Sequence, residues 1–274
     1  MTPLKAIAAG MALQLAVAGG LAAQQDALTR LFPARPTGYV TDAAGIVDPA
    51  TRSELESLLT RLRAVTGAEV AVVTLPTIDD RDEADVALAI GRAWGVGANA
   101  AIGDARRNAG LVLLVVPRQN HVPGTGHVRI EVGQGLEGIV TDATAGRIRR
   151  DVMGPLLAGE RYSPAIAEGV RALTGVIARG FGVDDSTLTA YRLPAGGGDG
   201  GLPSWLPLAL FLVFFVVTGI IQRAMRGRGG VYWGGGPWIG GGWGGGGGFG
   251  GGGGGFGGFG GGGGFSGGGS GGRF

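Results

Sequence analysis

The stretch His127-Val-Arg-Ile-Glu-Val-Gly-Gln-Gly-Leu-Glu-Gly-Ile-Val-Thr-Asp142 reads as a short strand, a glycine turn and the start of a helix. Val128, Ile130 and Val132 alternate with Arg129 and Glu131, the period of a strand with one buried face. Gly133, Gly135 and Gly138 follow at once, and glycine backbone reaches angles that other residues avoid. Glu131, Glu137 and Asp142 are thereby gathered around a flexible turn. Such a set suits a hard cation, and it equally suits an ordinary solvated loop.

The elements on either side point to an α/β fold. Upstream, Gly110-Leu-Val-Leu-Leu-Val-Val116 and Ala68-Glu-Val-Ala-Val-Val-Thr-Leu75 are nearly continuous in apolar residues. Runs of this kind belong to strands covered on both faces by helices. Pro117–Gly126 reads as a hairpin loop. Helices are expected between the strands. One is capped by Asp48, has Pro49 at its first position, and carries Leu55, Leu58, Leu59, Leu62 and Val65. Another starts in the acidic run Asp79–Asp85 and carries Val86, Ile90, Ala93 and Trp94. Downstream, Thr141 or Asp142 caps a helix through Ile148 and Val152 to Leu157. A last helix begins at Tyr162-Ser163-Pro164 and carries Ile166, Val170, Leu173 and Ile177. About 145 residues of interleaved strands and helices suffice for one core.

The 274 residues include 61 Gly and no Cys. Disulfides, thiolate metal sites and a cysteine nucleophile are therefore excluded. The sequence pI near 9.4 misrepresents the folded part. Lys5, Arg223, Arg226, Arg228 and Arg273 lie outside it, and every acidic residue lies between Asp26 and Asp199. This middle region carries 18 basic and 21 acidic groups, a formal charge of −3. A nucleic-acid binder would concentrate basic charge on its fold, so no nucleic-acid partner is expected.

Residues 1–23 read as a signal peptide: Lys5, a short apolar run from Ile7 to Ala18, then small residues. Residues 24–35 and 182–202 read as linkers around a domain at 36–181. Trp205 to Ile221 is an uncharged run reaching about 26 Å as a helix at ~1.5 Å per residue. A transmembrane helix is accordingly expected at 203–222. Arg223, Arg226 and Arg228 follow it, and the positive-inside rule then puts the tail in the cytoplasm and the domain in the periplasm. The tail, 223–274, is mostly glycine with scattered Trp and Phe and is expected to be disordered.

Two motif matches carry no function. Gly133-x-Gly135-x-x-Gly138 follows a strand, but a dinucleotide fingerprint should open its fold rather than come near its end. No nucleotide cofactor is expected. Gly264-x-Ser266-x-Gly268 matches the hydrolase elbow only within a glycine tract that no expected strand precedes. The remaining candidate set is Asp42, Asp104, Glu131, Glu137 and Asp142. Ligands collect beyond the carboxyl ends of strands in an α/β sheet. On that rule Asp42, Glu137 and Asp142 converge, and Asp104 joins them if its loop folds back. Oxygen ligands without Cys point to Ca²⁺ or Mg²⁺.

Val40-Thr-Asp42 with Gly45, Trp94-Gly-Val-Gly97, Asn108-Ala-Gly110-Leu-Val-Leu-Leu, and Glu131-Val-Gly-Gln-Gly-Leu-Glu137 with Thr141-Asp142 resemble the TPM domain. With the signal, span and glycine tail, the chain is similar to the YgcG-type membrane-anchored bacterial members. The resemblance implies a three-layer α/β/α sandwich around a short mixed sheet and divalent-cation binding near the acidic loops. It also implies either an accessory role or a weak acid phosphatase activity. Asn108-Ala109 departs from the family's Asp-Asn or Asn-Asp pair and removes one side-chain ligand. The function expected from residues and resemblance together is a cation-binding docking module for an envelope protein. The competing expectation is a metal-assisted phosphomonoesterase holding its metal with Asp42, Asp104 and Asp142, with Glu137 as base or outer-shell orienter.

Overall fold

The computed structural model describes residues 28–104, 106–191, 193, 211 and 258–274. Apart from Phe211 these belong to one compact unit. The expected signal peptide and, except for Phe211, the expected transmembrane helix lie outside the described residues. Among the described residues no helix is long and apolar enough to cross a membrane.

Five strands form one mixed sheet in the order β1-β2-β3-β4-β5: Val40–Asp42, Glu69–Thr74, Gly110–Val116, His127–Gly133 and Phe265–Arg273. The first three run parallel. β4 returns antiparallel to β3 through the Pro117–Gly126 loop, and β5 lies antiparallel to β4. Every residue of β2 and β3 is buried. Their uninterrupted apolar runs therefore form the middle of the sheet, where both faces need covering.

Helix α1 (Pro49–Thr66) buries Leu55, Leu59 and Leu62, while Val65 is half exposed. Asp48 precedes it without a side-chain capping bond. Gly67 ends it at φ 73°, with its N–H on the Arg63 carbonyl, a left-handed stop that suits glycine. Helix α2 (Glu83–Trp94) is capped by the Asp82 carboxylate and buries Val86, Ala87, Ile90, Gly91 and Trp94. From Thr141 the chain makes α3 (Asp142–Arg147), a π-helical turn (Ile148–Met153) and α4 (Gly154–Ala158) in place of one continuous helix. Pro155 lacks an N–H, so a uniform α-helical ladder cannot run through it. Helix α5 (Tyr162–Gly180) packs on α1 and on the π turn.

Helices cover both faces of the sheet. The Glu83 side chain of α2 meets His127 on the face that carries Arg129 and Glu131. Arg149 of the π turn lies over Gly272, which pairs with Val128 on the other face.

Both expected linkers are partly folded. Phe32 is buried edge-on to Trp94 at 6.0 Å, and the Trp94 indole donates to the Pro33 carbonyl. Beyond α5, Leu188 is buried in a short helix, α6 (Ser186–Thr189).

The larger correction concerns the tail. Residues 258–274, expected to be disordered, supply the fifth strand and bury Phe259 and Phe265 in the core. Glycine loses more backbone freedom on folding than any other residue. Here the loss is offset by strand pairing and by aromatic side chains that reach the core.

Candidate functional site

Because β4 is antiparallel to β3, Val132 pairs with Leu111 and His127 with Val116. The Gly133 turn therefore sits at the amino ends of the parallel strands. Asp42, at the carboxyl end of β1 opposite Thr74, lies at the other end of the sheet. The expected convergence of Asp42 with Glu137 and Asp142 does not occur.

Asp42 is a loop staple. Its Oδ1 accepts from the Ile46 N–H at 3.1 Å and from the Thr74 hydroxyl, and its Oδ2 from the Val47 N–H at 3.1 Å. Asp104 is turned to its own loop. It accepts from Arg106 Nε at 3.0 Å and Nη2 at 2.7 Å, and from the Arg106 N–H at 2.8 Å. These bonds hold its pKa down to about 2. Glu131 is fully buried and accepts from Arg129 Nε at 2.9 Å. Burial pushes its pKa up, against the pull of Arg129, Arg92 and the Gly267 N–H.

Glu137 and Asp142 share a different neighbour. Glu137 accepts from the Ser266 hydroxyl, and Asp142 Oδ1 accepts from the Gly269 N–H at 2.7 Å. Both carboxylates hold the C-terminal segment. His121 and His127 are apart from this set and paired with Glu160 and Glu83 respectively. Among the described residues no group of three or more His, Asp or Glu is arranged to hold a metal ion. The five expected ligands thus divide into four places, Asp42, Asp104, Glu131 and the Glu137–Asp142 pair, and do not gather around a single ion.

The site that the residues do build is a channel along β4, filled by residues 258–274. Its first half is held at the Gly95–Gly97 turn. Glu69 Oε2 accepts the Gly97 N–H at 2.8 Å and the Gly260 N–H at 2.7 Å, while Arg63 pairs with Oε1 at 2.9 Å. Burial pushes the Glu69 pKa up, opposed by those two N–H groups and Arg63. The N–H groups of Gly261 and Gly262 donate to the Gly95 and Gly97 carbonyls at 2.8 and 2.7 Å. Phe259 stacks on Trp94 with rings 6.4 Å apart and meets Tyr39 edge-on.

The second half is the strand. Its register runs from His127↔Arg273 to Val132↔Gly268, with a shift before Gly133↔Phe265. Arg92 Nη2 donates to the Phe265 carbonyl at 3.1 Å, and Arg149 Nε to the Ser270 hydroxyl at 3.0 Å. The Phe274 main-chain oxygen accepts from the Gly124 N–H at 2.8 Å and from Arg118 Nε at 3.2 Å.

Glu69, Arg63, Trp94, Arg118 and Arg149 were not candidates on sequence grounds. The one available signal was Glu69, a lone carboxylate inside an apolar strand, which must find a partner when buried.

The described domain matches the family model for the TPM domain over residues 40–176, half of the chain. Among solved structures, the solution structure of the N-terminal domain of a protein from P.gingivalis is similar. It has 34% identity over 54% of this chain and 87% of that one, with a TM-score of 0.45. Among curated proteins none matches.

Proposed function

The chain belongs to the TPM-domain family, and from that premise we propose that it is a non-enzymatic accessory module that docks an envelope protein by strand addition at β4. One observation carries this reading: β4 accepts an extended segment along its whole length, from His127 to Gly133. Strand addition takes affinity from main-chain hydrogen bonds and specificity from the pockets alongside. Both are present, since Glu69, Glu137 and Asp142 each accept from the bound segment. Export by residues 1–23 and membrane association through 203–222 belong to the same reading and put the module at the envelope.

The cation, Ca²⁺ or Mg²⁺, is confined in this reading to Glu137 and Asp142. An ion there competes with the Ser266 hydroxyl and the Gly269 N–H for the same oxygens. The phosphomonoesterase reading needs Asp42, Asp104 and Asp142 on one metal, and Asp42 stands at the opposite end of the sheet from the Gly133 turn.

The test is site-specific photo-crosslinking of the full chain in native envelopes. Probes at Gln134 and Glu137 flank the β4 edge, and a control probe goes at the exposed Ile102. Adducts to one discrete envelope protein from both edge positions, absent from the control, are expected. Adducts only within the chain would refute docking at this edge. Phosphate release from p-nitrophenyl phosphate that Asp142→Asn abolishes would replace this reading with the enzyme.

A further inference from the structure

We propose that the channel along β4 is a peptide site selective for glycine-rich extended segments whose aromatic residues are spaced as Phe259, Phe265 and Phe274. This chain fills the site in cis, so an outside strand enters only by displacing residues 258–274. The proposal rests on the docking reading and adds to it a ligand class and a resident competitor.

The selectivity is written in the channel's clearances. A Cβ on Gly262 would stand 2.6 Å from the Gly97 carbonyl oxygen, and one on Gly264 would stand 2.2 Å from the Asn108 amide. On Gly272 it would meet Arg149 Nη1 at 2.6 Å. Gly269 is the most demanding position. Its Cβ would fall 2.0 Å from the Ile130 carbonyl oxygen, and its φ of +128° is one that L side chains rarely adopt. The obstacles at Gly262 and Gly269 are backbone atoms, which cannot swing aside. A segment following the same backbone path cannot carry a side chain at those positions.

The domain makes matching room for the aromatic rings. A Cβ on Gly91 of α2 would strike the Phe265 ring at 2.6 Å, and one on Gly126 would strike the Phe274 ring at 2.5 Å. Phe274 is further held by Arg118, whose guanidinium lies 5.7 Å from the ring centroid. The fit is two-sided: glycines of the segment admit the channel walls, and glycines of the domain admit the segment's rings.

Occupancy in cis follows from the covalent link. Residues 194–257 join the domain to the segment and are rich in glycine. A covalent join makes the binding intramolecular and gives the segment an effective concentration that a free strand does not have. A free strand must exceed that level or bind better.

Two measurements on the full chain in detergent test this. His127 and Arg273 are directly opposed across β4 and β5, and the chain has no other cysteine to interfere. In His127→Cys/Arg273→Cys, mild oxidation is expected to give an intramolecular disulfide that migrates as a monomer. A disulfide-linked dimer would show that a second copy supplies the strand and would overturn the cis arrangement. Two free thiols that label fully with maleimide would overturn both this proposal and docking at β4.

The second measurement uses a fluorescent synthetic peptide of residues 258–274. Wild type is expected to bind it poorly. Phe265→Ser/Gly269→Val, which disables the resident strand and leaves the domain sequence intact, is expected to bind it at least ten-fold more tightly. A peptide with Gly262, Gly264 and Gly272 changed to Ala is expected to lose that gain. Equal binding by wild type and variant, or equal binding of the two peptides, would overturn the proposal. If the intramolecular disulfide forms in that case, docking at β4 survives and the glycine selectivity does not.

Discussion

β3 and β5 belong to one sheet and share almost no chemistry. β3 is Gly-Leu-Val-Leu-Leu-Val-Val, with every residue buried. β5 is Phe-Ser-Gly-Gly-Gly-Ser-Gly-Gly-Arg, with only Phe265 buried. The first is held by apolar area removed from water, worth about 25 cal/mol per Å². The second has almost no such area after Phe265. It is held by main-chain pairing, by carboxylates on its N–H and hydroxyl groups, and by a close backbone approach at Gly269. A strand can thus be specified by what it carries or by what it lacks. Within the strand itself little apolar area opposes release of the second kind.

The largest break in this comparison is Leu113→Ala at the centre of β3. Leu113 is fully buried, and its truncation is expected to cost about 2–5 kcal/mol. Urea unfolding should show the loss as a lower midpoint for the whole domain. A drop confined to β5 would mean that β3 is not the centre of the cooperative unit.

Gly269→Val strikes β5 instead. Steric conflict of this kind costs about 1–3 kcal/mol, enough to release a strand with so little apolar contact. Hydrogen exchange should then quicken at Phe265–Arg273 and along the outer edge of β4, while β2 and β3 stay protected. Global loss of protection would show that β5 is integral to the core.

The smallest effect sharpens the comparison through pH. Burial raises the Glu69 and Glu131 pKa values above the ordinary 4.5. The folded chain therefore keeps protons that the unfolded chain has lost, and stability falls as pH rises from about 4.5 through the raised values. Asp104 acts in the opposite sense. Its pKa is lowered from 3.8 to about 2, so its contribution is present above 3.8 and is lost as pH falls toward 2. Glu69→Gln is expected to reduce the slope of urea midpoint against pH in the upper window only. An unchanged slope would mean that Glu69 titrates at its ordinary value in the fold.

The core was legible because its elements declare themselves by period. Ala68–Leu75 and Gly110–Val116 are too apolar to be anything but covered, and Gly67 and Gly95 mark the ends of their helices. The site was legible only in part. Glu137 and Asp142 were singled out as cation ligands, and in the structure they accept from Ser266 and Gly269 of the same chain. The grouping with Asp42 failed because the rule used for it holds for parallel strands. The hairpin reading of Pro117–Gly126 already implied a reversal that sends Gly133 to the far end. β5 was illegible for a deeper reason. Hydrophobic period is a property of side chains, and this strand is recognised through their absence. Phe259, Phe265 and Phe274 were its only outward marks, and in a glycine tract they resemble scattered aromatics.

The pairing of β4 with β5 also imposes a rule of parity. A chain that leaves a sheet on one side of a bilayer and later rejoins that sheet must cross the bilayer an even number of times in between. One crossing at 203–222, with the domain outside and Phe274 inside, is an odd number. It is therefore incompatible with β5 lying in the sheet. A second copy inserted in the same orientation offers no escape, because its C-terminal segment lies on the same wrong side. Zero crossings or two satisfy the sheet, and either returns Arg273 to the compartment of His127.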